Sequence, residues 1–227
     1  TKIVFDYLLK EFKAPLNDYK EWVDTVNAVD IWLENEKENF EFGKVLMSMV
    51  TKAREINSIL FNSLDRDFKF YLLKNSIGFL SLENAPIVLD NSVHSLKKEF
   101  LKDGFDDTLD NLSASYLVKS LDKIKDDLTV YYNGQKGLMT YCLGAISIPA
   151  NSFLRANSDY DFFIDVGRKG NASFRADGKL DVSQLASKLA NGGGHVNASG
   201  CKFDDFIETI NLQEVRAYIQ NKLNNLK

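Results

Sequence analysis

The sequence predicts an α/β protein: an N-terminal helical segment followed by a small α/β domain with a mixed sheet. Apolar residues recur at three- and four-residue spacing through the first half. Near Leu128 the period changes to that of strands, and two strand-turn-strand units are then followed by two amphipathic helices. At 227 residues, 44% of them hydrophobic, the chain is long enough to bury a real core.

Taken in order, Phe5, Leu8, Leu9 and Phe12 mark a first helix, which Pro15 breaks. Tyr19, Trp22, Val23, Val26 and Leu33 mark a second, with Asp30 and Trp32 near its end. Val45, Leu46, Met49 and Val50, followed by Ile56, Ile59 and Leu60, predict one long helix or two joined ones. The run APIVLD at 85–90 reads as a short strand, VHSLKKEFLKDGF at 93–105 as an amphipathic helix, and Leu117 to Ile124 as the start of another. Beyond Leu128, Asn133-Gly134 suits the positive backbone angles of a tight hairpin. The Gly-Arg-Lys-Gly run at 167–170 joins a second pair of strands, which ends before Asp177-Gly178. Asp181 can cap a helix with Gln184 three residues on, Val182, Leu185, Ala186 and Leu189 form its buried stripe, and the glycines after it end it. A last helix covers NLQEVRAYIQNKL. The change of period near Leu128 sets the helical part, 1–127, apart from the α/β part, 128–227.

Twenty-eight Lys and Arg against 32 Asp and Glu give a net charge of −4, so no global field collects nucleic acid and any anion site must be local. Cys142 and Cys201 have no neighbour at zinc-ligand spacing, which reads as a reduced, cytoplasmic setting. No apolar run approaches a membrane span. No Gly-Lys-Ser/Thr occurs, which excludes a P-loop, and the glycine run follows a helix rather than a strand, which argues against a Rossmann turn. Ser152, Ser173 and Ser199 lack an elbow motif, and His94 and His195 are the only histidines.

The run NGGGHVNASG at 191–200 admits two readings. Glycines can cap a helix and lead into a loop, or the amides of Gly192, Gly193 and Gly194 can form a nest for a phosphate, with His195 as an added donor. Arg175, at the end of a strand, offers a planar fork for phosphate oxygens. Arg168 and Lys169 read as a solvated turn.

SFRADGKLDVSQLASKLANGGGHVNASG resembles the core of the DHH-associated domain of the first type, the substrate-binding partner of the DHH phosphoesterase domain. The shared features are the Ser-x-Arg strand, the helix beginning Asp-Val-Ser, and Gly-Gly-Gly-His followed by Asn-Ala-Ser-Gly; the family commonly has a fourth glycine where Asn191 stands. The N-terminal stretch, with VNAVDIWLENEKENFEFGKVL, is similar to the segment after the Asp-His-His motif in oligoribonuclease-like members. The resemblance implies that 1–50 is the end of a catalytic domain, 51–127 a helical linker region and 128–227 the substrate-binding domain. It implies Asp30, in an Asp-x-Trp context, as one metal ligand, and Arg175, Gly192, Gly193, Gly194, His195, Ser173 and Asn197 as substrate-binding residues, with no catalytic residue in this chain. No Asp-His-His motif occurs, and the sequence begins at Thr1, so it reads as a part of such an enzyme without its N-terminal catalytic half. The expected whole is a Mn2+- or Mg2+-dependent phosphodiesterase and 3′-5′ exonuclease, cutting short single-stranded RNA or DNA or dinucleotides to nucleoside monophosphates. A cyclic-dinucleotide phosphodiesterase and a non-catalytic nucleic-acid-binding module are the alternatives.

Overall fold

The computed structural model describes residues 1–35 and 37–226. Its helices are α1 (Lys2–Phe12), α2 (Lys20–Asp30), α3 (Lys37–Thr51), α4 (Asn62–Ser76), α5 (Ala85–Leu101), α6 (Leu109–Asp122), α7 (Lys125–Leu128), α8 (Ser147–Ala156), α9 (Val182–Ala190) and α10 (Leu212–Asn224). The strands are β1 (Thr129–Tyr132), β2 (Gln135–Tyr141), β3 (Phe162–Val166), β4 (Asn171–Ala176), β5 (Gly193–His195) and β6 (Ala198–Lys202). The architecture is mixed α/β, with helices first and a six-stranded sheet after them.

Two compact units result: residues 1–55 with 64–103, and residues 56–63 with 104–227. The expected linker region, 51–127, is thus shared between them. The first unit is helical, with Phe42, Met49, Phe68, Leu72 and Leu89 at its centre. Lys97 is buried there and pairs with Glu55 at 2.6 Å.

In the second unit the sheet order is β1-β2-β3-β4-β6-β5. Among the described strands only β2 and β3 pair in parallel; the crossover between them is α8, as parallel neighbours need a long connection. Alternation sends Phe162, Ile164, Phe174 and Ser199 to one face and Phe163, Asp165, Ser173, Arg175 and Ala198 to the other. On the first face lie α9, where the Ser199 hydroxyl donates to the Val182 carbonyl at 2.6 Å, and α10, where Tyr218 packs on Phe203 and Phe206. The second face is covered over β3 and part of β4 by α8, whose Phe153 packs edge-on against Phe163, and α6 packs on α8. Beyond α8 that face is open over β6 and β5: Gly193, His195 and Lys202 are exposed and Gly200 is half-buried, as are Ser173 and Arg175 of β4.

Local signals hold where one turn decides them. Asn133 and Gly134 both take positive φ, 49° and 81°, and close the β1–β2 hairpin. Asp181 caps α9, accepting from the Ser183 and Gln184 backbone N–H groups, and the Gln184 amide returns to its carboxylate at 2.8 Å.

Elsewhere the structure corrects the sequence. APIVLD is not a strand but the first turns of α5: Pro86 stands where a fixed φ starts a helix, and Leu89 begins a buried stripe continued by Lys97 and Leu101. The helix through Val50 stops at Thr51, and 57–60 is not helix but a side-chain-closed turn in which Asn57 Oδ1 accepts from the Ile59 and Leu60 N–H groups. The helix expected from Leu117 begins at Leu109, capped by Thr108. No helix among the described residues is long and apolar enough to cross a membrane.

The Asp181 carboxyl is held below its usual range by its bonds to Ser183 and Gln184. A depressed carboxyl stabilises the fold above its unfolded pKa, near 3.8, and that contribution fades as pH falls through the folded value. Asp181→Ala therefore lowers the Tm at neutral pH, and the gap between the thermal melts of parent and variant should begin to close below about pH 4 and keep closing as the pH falls further.

Candidate functional site

Asn191 and Gly192 close the end of α9, and Gly193 and Gly194 enter the sheet. Asn191 makes the stop: its φ of 50° is the left-handed conformation that asparagine tolerates, and the Asn191 and Gly192 N–H groups bond back to the Ser187 and Ala186 carbonyls. Asn191 thus does the work that a glycine commonly does at a helix C-terminus. Gly193 and Gly194 then run with His195 as β5, the edge strand, paired antiparallel to β6. Amides in a strand alternate in direction, so Gly193, Gly194 and His195 do not aim all of theirs at one point.

The three glycines have different reasons to be glycines. A Cβ on Gly192 would lie 2.3 Å from the Gly200 carbonyl oxygen. One on Gly194, whose φ is +146°, would lie 2.5 Å from the Ala198 oxygen. One on Gly193 would meet nothing within 4 Å. Packing therefore demands the first and third, while the second keeps a space empty.

That space belongs to the open sheet face. The register sets Arg175, Ala198 and His195 in one row, and Ser173, Gly200 and Gly193 in the next. With strands about 4.8 Å apart and rows about 7 Å apart, the result is a shelf with a small-residue floor, and Arg175 and His195 about 10 Å from each other. The two-residue turn at its end is tied down on both sides: Val182 N–H bonds to the Val196 carbonyl, and Ala176 N–H to the Asn197 carbonyl. Asn197 itself is exposed beside the shelf.

Arg175 makes no ion pair among the described residues. Its guanidinium donates to the Phe174 carbonyl at 2.8 Å and to the Ser147 hydroxyl, at the start of α8, at 2.9 Å. Both anchors are neutral, so the charge is aimed without being cancelled, and further N–H donors remain for a ligand. Behind it Asp165, 6% exposed, accepts from Thr140 Oγ1 and the Leu143 N–H at 2.9 Å each and from the Gly144 N–H at 3.0 Å. Burial pushes its carboxyl up, and the three donors oppose that. Asp165, Thr140 and Ser147 were not singled out from sequence. The one signal for them was an aspartate inside the apolar run FFIDV.

Other candidates lie elsewhere. Arg168 is paired with Glu208 at 3.0 Å, in keeping with a solvated turn. Asp30, the last residue of α2, is exposed, and among the described residues no group of three or more His, Cys, Asp or Glu side chains gathers to hold a metal. Asp30 by itself does not make a metal centre. Burial raises the Cys142 thiol and pushes that of Cys201 up to about 11, so neither is a ready thiolate. A cavity of about 650 Å³ in the first unit is lined by Glu21, Glu41 and Glu83 with Phe42 and Leu80, a wall that repels phosphate.

Fold and site together define an α/β unit that presents an uncompensated arginine beside an open glycine-floored shelf, attached to a helical unit. No family model matches the sequence. The chain is 41% identical over 230 residues to a 3′,5′-cyclic-nucleotide phosphodiesterase of Helicobacter pylori (strain ATCC 700392 / 26695), covering 99% of this chain and 66% of that protein. It superposes on the crystal structure of an uncharacterized protein from Helicobacter pylori G27 with a TM-score of 0.92, at 42% identity, again over 99% of this chain and 66% of that one. The chain thus spans just under two thirds of the length of either, and the likeness is consistent with a phosphoesterase.

The glycine geometry sets a stability contrast measurable by denaturant unfolding. Gly194→Ala should cost about 1–3 kcal/mol through its backbone angle and the close Ala198 oxygen. Gly193→Ala should leave stability unchanged or raise it by up to about 1 kcal/mol, since nothing opposes the added methyl.

Proposed function

We propose that this chain is the substrate-holding part of a metal-dependent phosphodiesterase that hydrolyses a 3′,5′-phosphodiester of a nucleotide. The observation that carries the reading is Arg175, charged and held only by neutral partners, at the wall of the shelf floored by Gly193, Ala198 and Gly200. The 41% identity to a cyclic-nucleotide phosphodiesterase supports it, as does the resemblance of the Ser-x-Arg strand and Gly-Gly-Gly-His run to the DHH-associated domain.

In this reading a substrate phosphate lies over Gly193 and Gly200 and takes the free donors of the Arg175 fork. His195 at the opposite end, the Ser173 hydroxyl in the second row and the exposed Asn197 amide supply further hydrogen bonds. Fixing the phosphate in this way removes its freedom before reaction and so contributes to turnover as well as affinity. The Mn2+ or Mg2+ that would supply Lewis-acid chemistry needs ligands beyond those gathered in the described residues; Asp30 is the one residue assigned to it, by resemblance. A reducing, cytoplasmic setting fits two cysteines that are both free thiols.

The first substrate class is a cyclic nucleotide, as in the relative's name. Short single-stranded RNA or DNA cut to nucleoside monophosphates is the second, favoured by the shelf's open end: β5 is the sheet edge and exposed, so a polynucleotide can run past it. A cyclic dinucleotide presents the same linkage.

Calorimetric titration of 5′-AMP, 3′,5′-cyclic AMP and the dinucleotide pApA tests the reading. Arg175→Ala should weaken phosphate binding by about 1.5–3 kcal/mol, some ten- to a hundredfold, as expected for a charge-assisted hydrogen bond. Gly193→Ala should weaken it at unchanged stability. Binding indifferent to both substitutions removes the shelf from the site. Hydrolysis of cyclic AMP but not pApA by the Mn2+-supplemented full-length protein selects the first substrate class, the reverse selects the second, and binding without hydrolysis leaves a nucleic-acid-binding module.

A further inference from the structure

Asp165 is a carboxylate in the middle of an apolar strand, between Ile164 and Val166, and makes no ion pair among the described residues. Its bonds go instead to the turn that leads from β2 into α8. The Leu143 and Gly144 N–H groups point at its two oxygens, with Thr140 beside them. That turn is conformationally demanding, since Cys142 has φ 57° and Gly144 has φ 85°. It is also held from its other side, by Cys142 N–H on the Val166 carbonyl at 2.8 Å and by the Asn57 amide on the Cys142 carbonyl at 2.6 Å. The turn fixes where α8 starts, and the first residue of α8 is Ser147, the partner of Arg175 Nη2.

We propose that Asp165 and Ser147 are positioning residues for Arg175. Asp165 sets the 143–147 turn, the turn sets the Ser147 hydroxyl, and the hydroxyl aims the guanidinium over the shelf. The physical advantage lies in separation. A carboxylate in direct contact would orient Arg175 equally well but would neutralise the charge that a phosphate needs. Asp165 acts through two backbone amides and a neutral hydroxyl, so the aim is kept and the charge is left available. This inference rests on the reading that Arg175 holds a substrate phosphate.

The test separates the two. Ser147 is exposed, so Ser147→Ala leaves the core intact, Ser147→Thr restores a hydroxyl, and Asp165→Asn keeps one acceptor but sets an amide donor against the turn. The first readout is the 15N-resolved guanidinium signal of Arg175, assigned with Arg175→Ala, in the free protein. Its Nη protons should exchange faster in Ser147→Ala and Asp165→Asn and recover in Ser147→Thr. The second is the Kd for 5′-AMP, which should rise about three- to tenfold in Ser147→Ala and Asp165→Asn, return in Ser147→Thr, and not rise further when either is added to Arg175→Ala. An Arg175 signal indifferent to Ser147→Ala and Asp165→Asn, or a loss of affinity that persists in the Arg175→Ala background, overturns the positioning role. An altered Arg175 signal together with wild-type 5′-AMP binding by Arg175→Ala overturns the phosphate-holding reading and leaves the positioning geometry standing.

Discussion

The pairing of β4 with β6 is the constraint on which the rest of the site depends. Its antiparallel register sets Arg175 opposite Ala198 and Ser173 opposite Gly200. Because strand side chains alternate, one residue of slip would turn Arg175 into the face that α9 fills and expose Phe174. The apolar face is therefore what enforces the polar one. Phe162, Ile164, Phe174 and Ala172 are all buried to 3% or less, so the register cannot move without uncovering a large apolar area.

Within that frame the glycines divide their labour. Gly192 and Gly194 let β5 lie against β6 where any side chain would meet backbone or a neighbouring side chain. Gly193 answers to no such demand and is the position at which an empty space is kept. Asn191 carries the left-handed turn that ends α9, which frees the glycines after it to be strand. A motif that looks uniform as letters is three different physical requirements in sequence.

Charge is handled with similar economy. The most buried carboxylate of the sheet, Asp165, is answered by amides and a hydroxyl, and Arg175 is answered by a carbonyl and a hydroxyl. Two opposite charges thus lie on one sheet face without being spent on each other. Elsewhere the protein does pair its charges, as at Lys97 with Glu55 and Arg168 with Glu208, so this separation is a local property.

What the sequence by itself determined is whatever one turn or one face decides: the amphipathic helices, the Asp181 cap, the Asn133-Gly134 hairpin, and the β3 and β4 strands. Each depends on contacts within a few residues, whose physics is written in adjacent letters. What only the tertiary structure decided is everything that needs a distant partner. APIVLD has strand-forming residues but is helical because α5 packs as a whole. The glycine run has loop composition but is strand because it pairs with β6, which β4, more than twenty residues upstream, holds in the sheet. The parallel β2–β3 pair, the α8 crossover and Asp165 could not be read, since their bonding groups come from residues some twenty or more positions away, brought close only when burial of the apolar face closes the sheet.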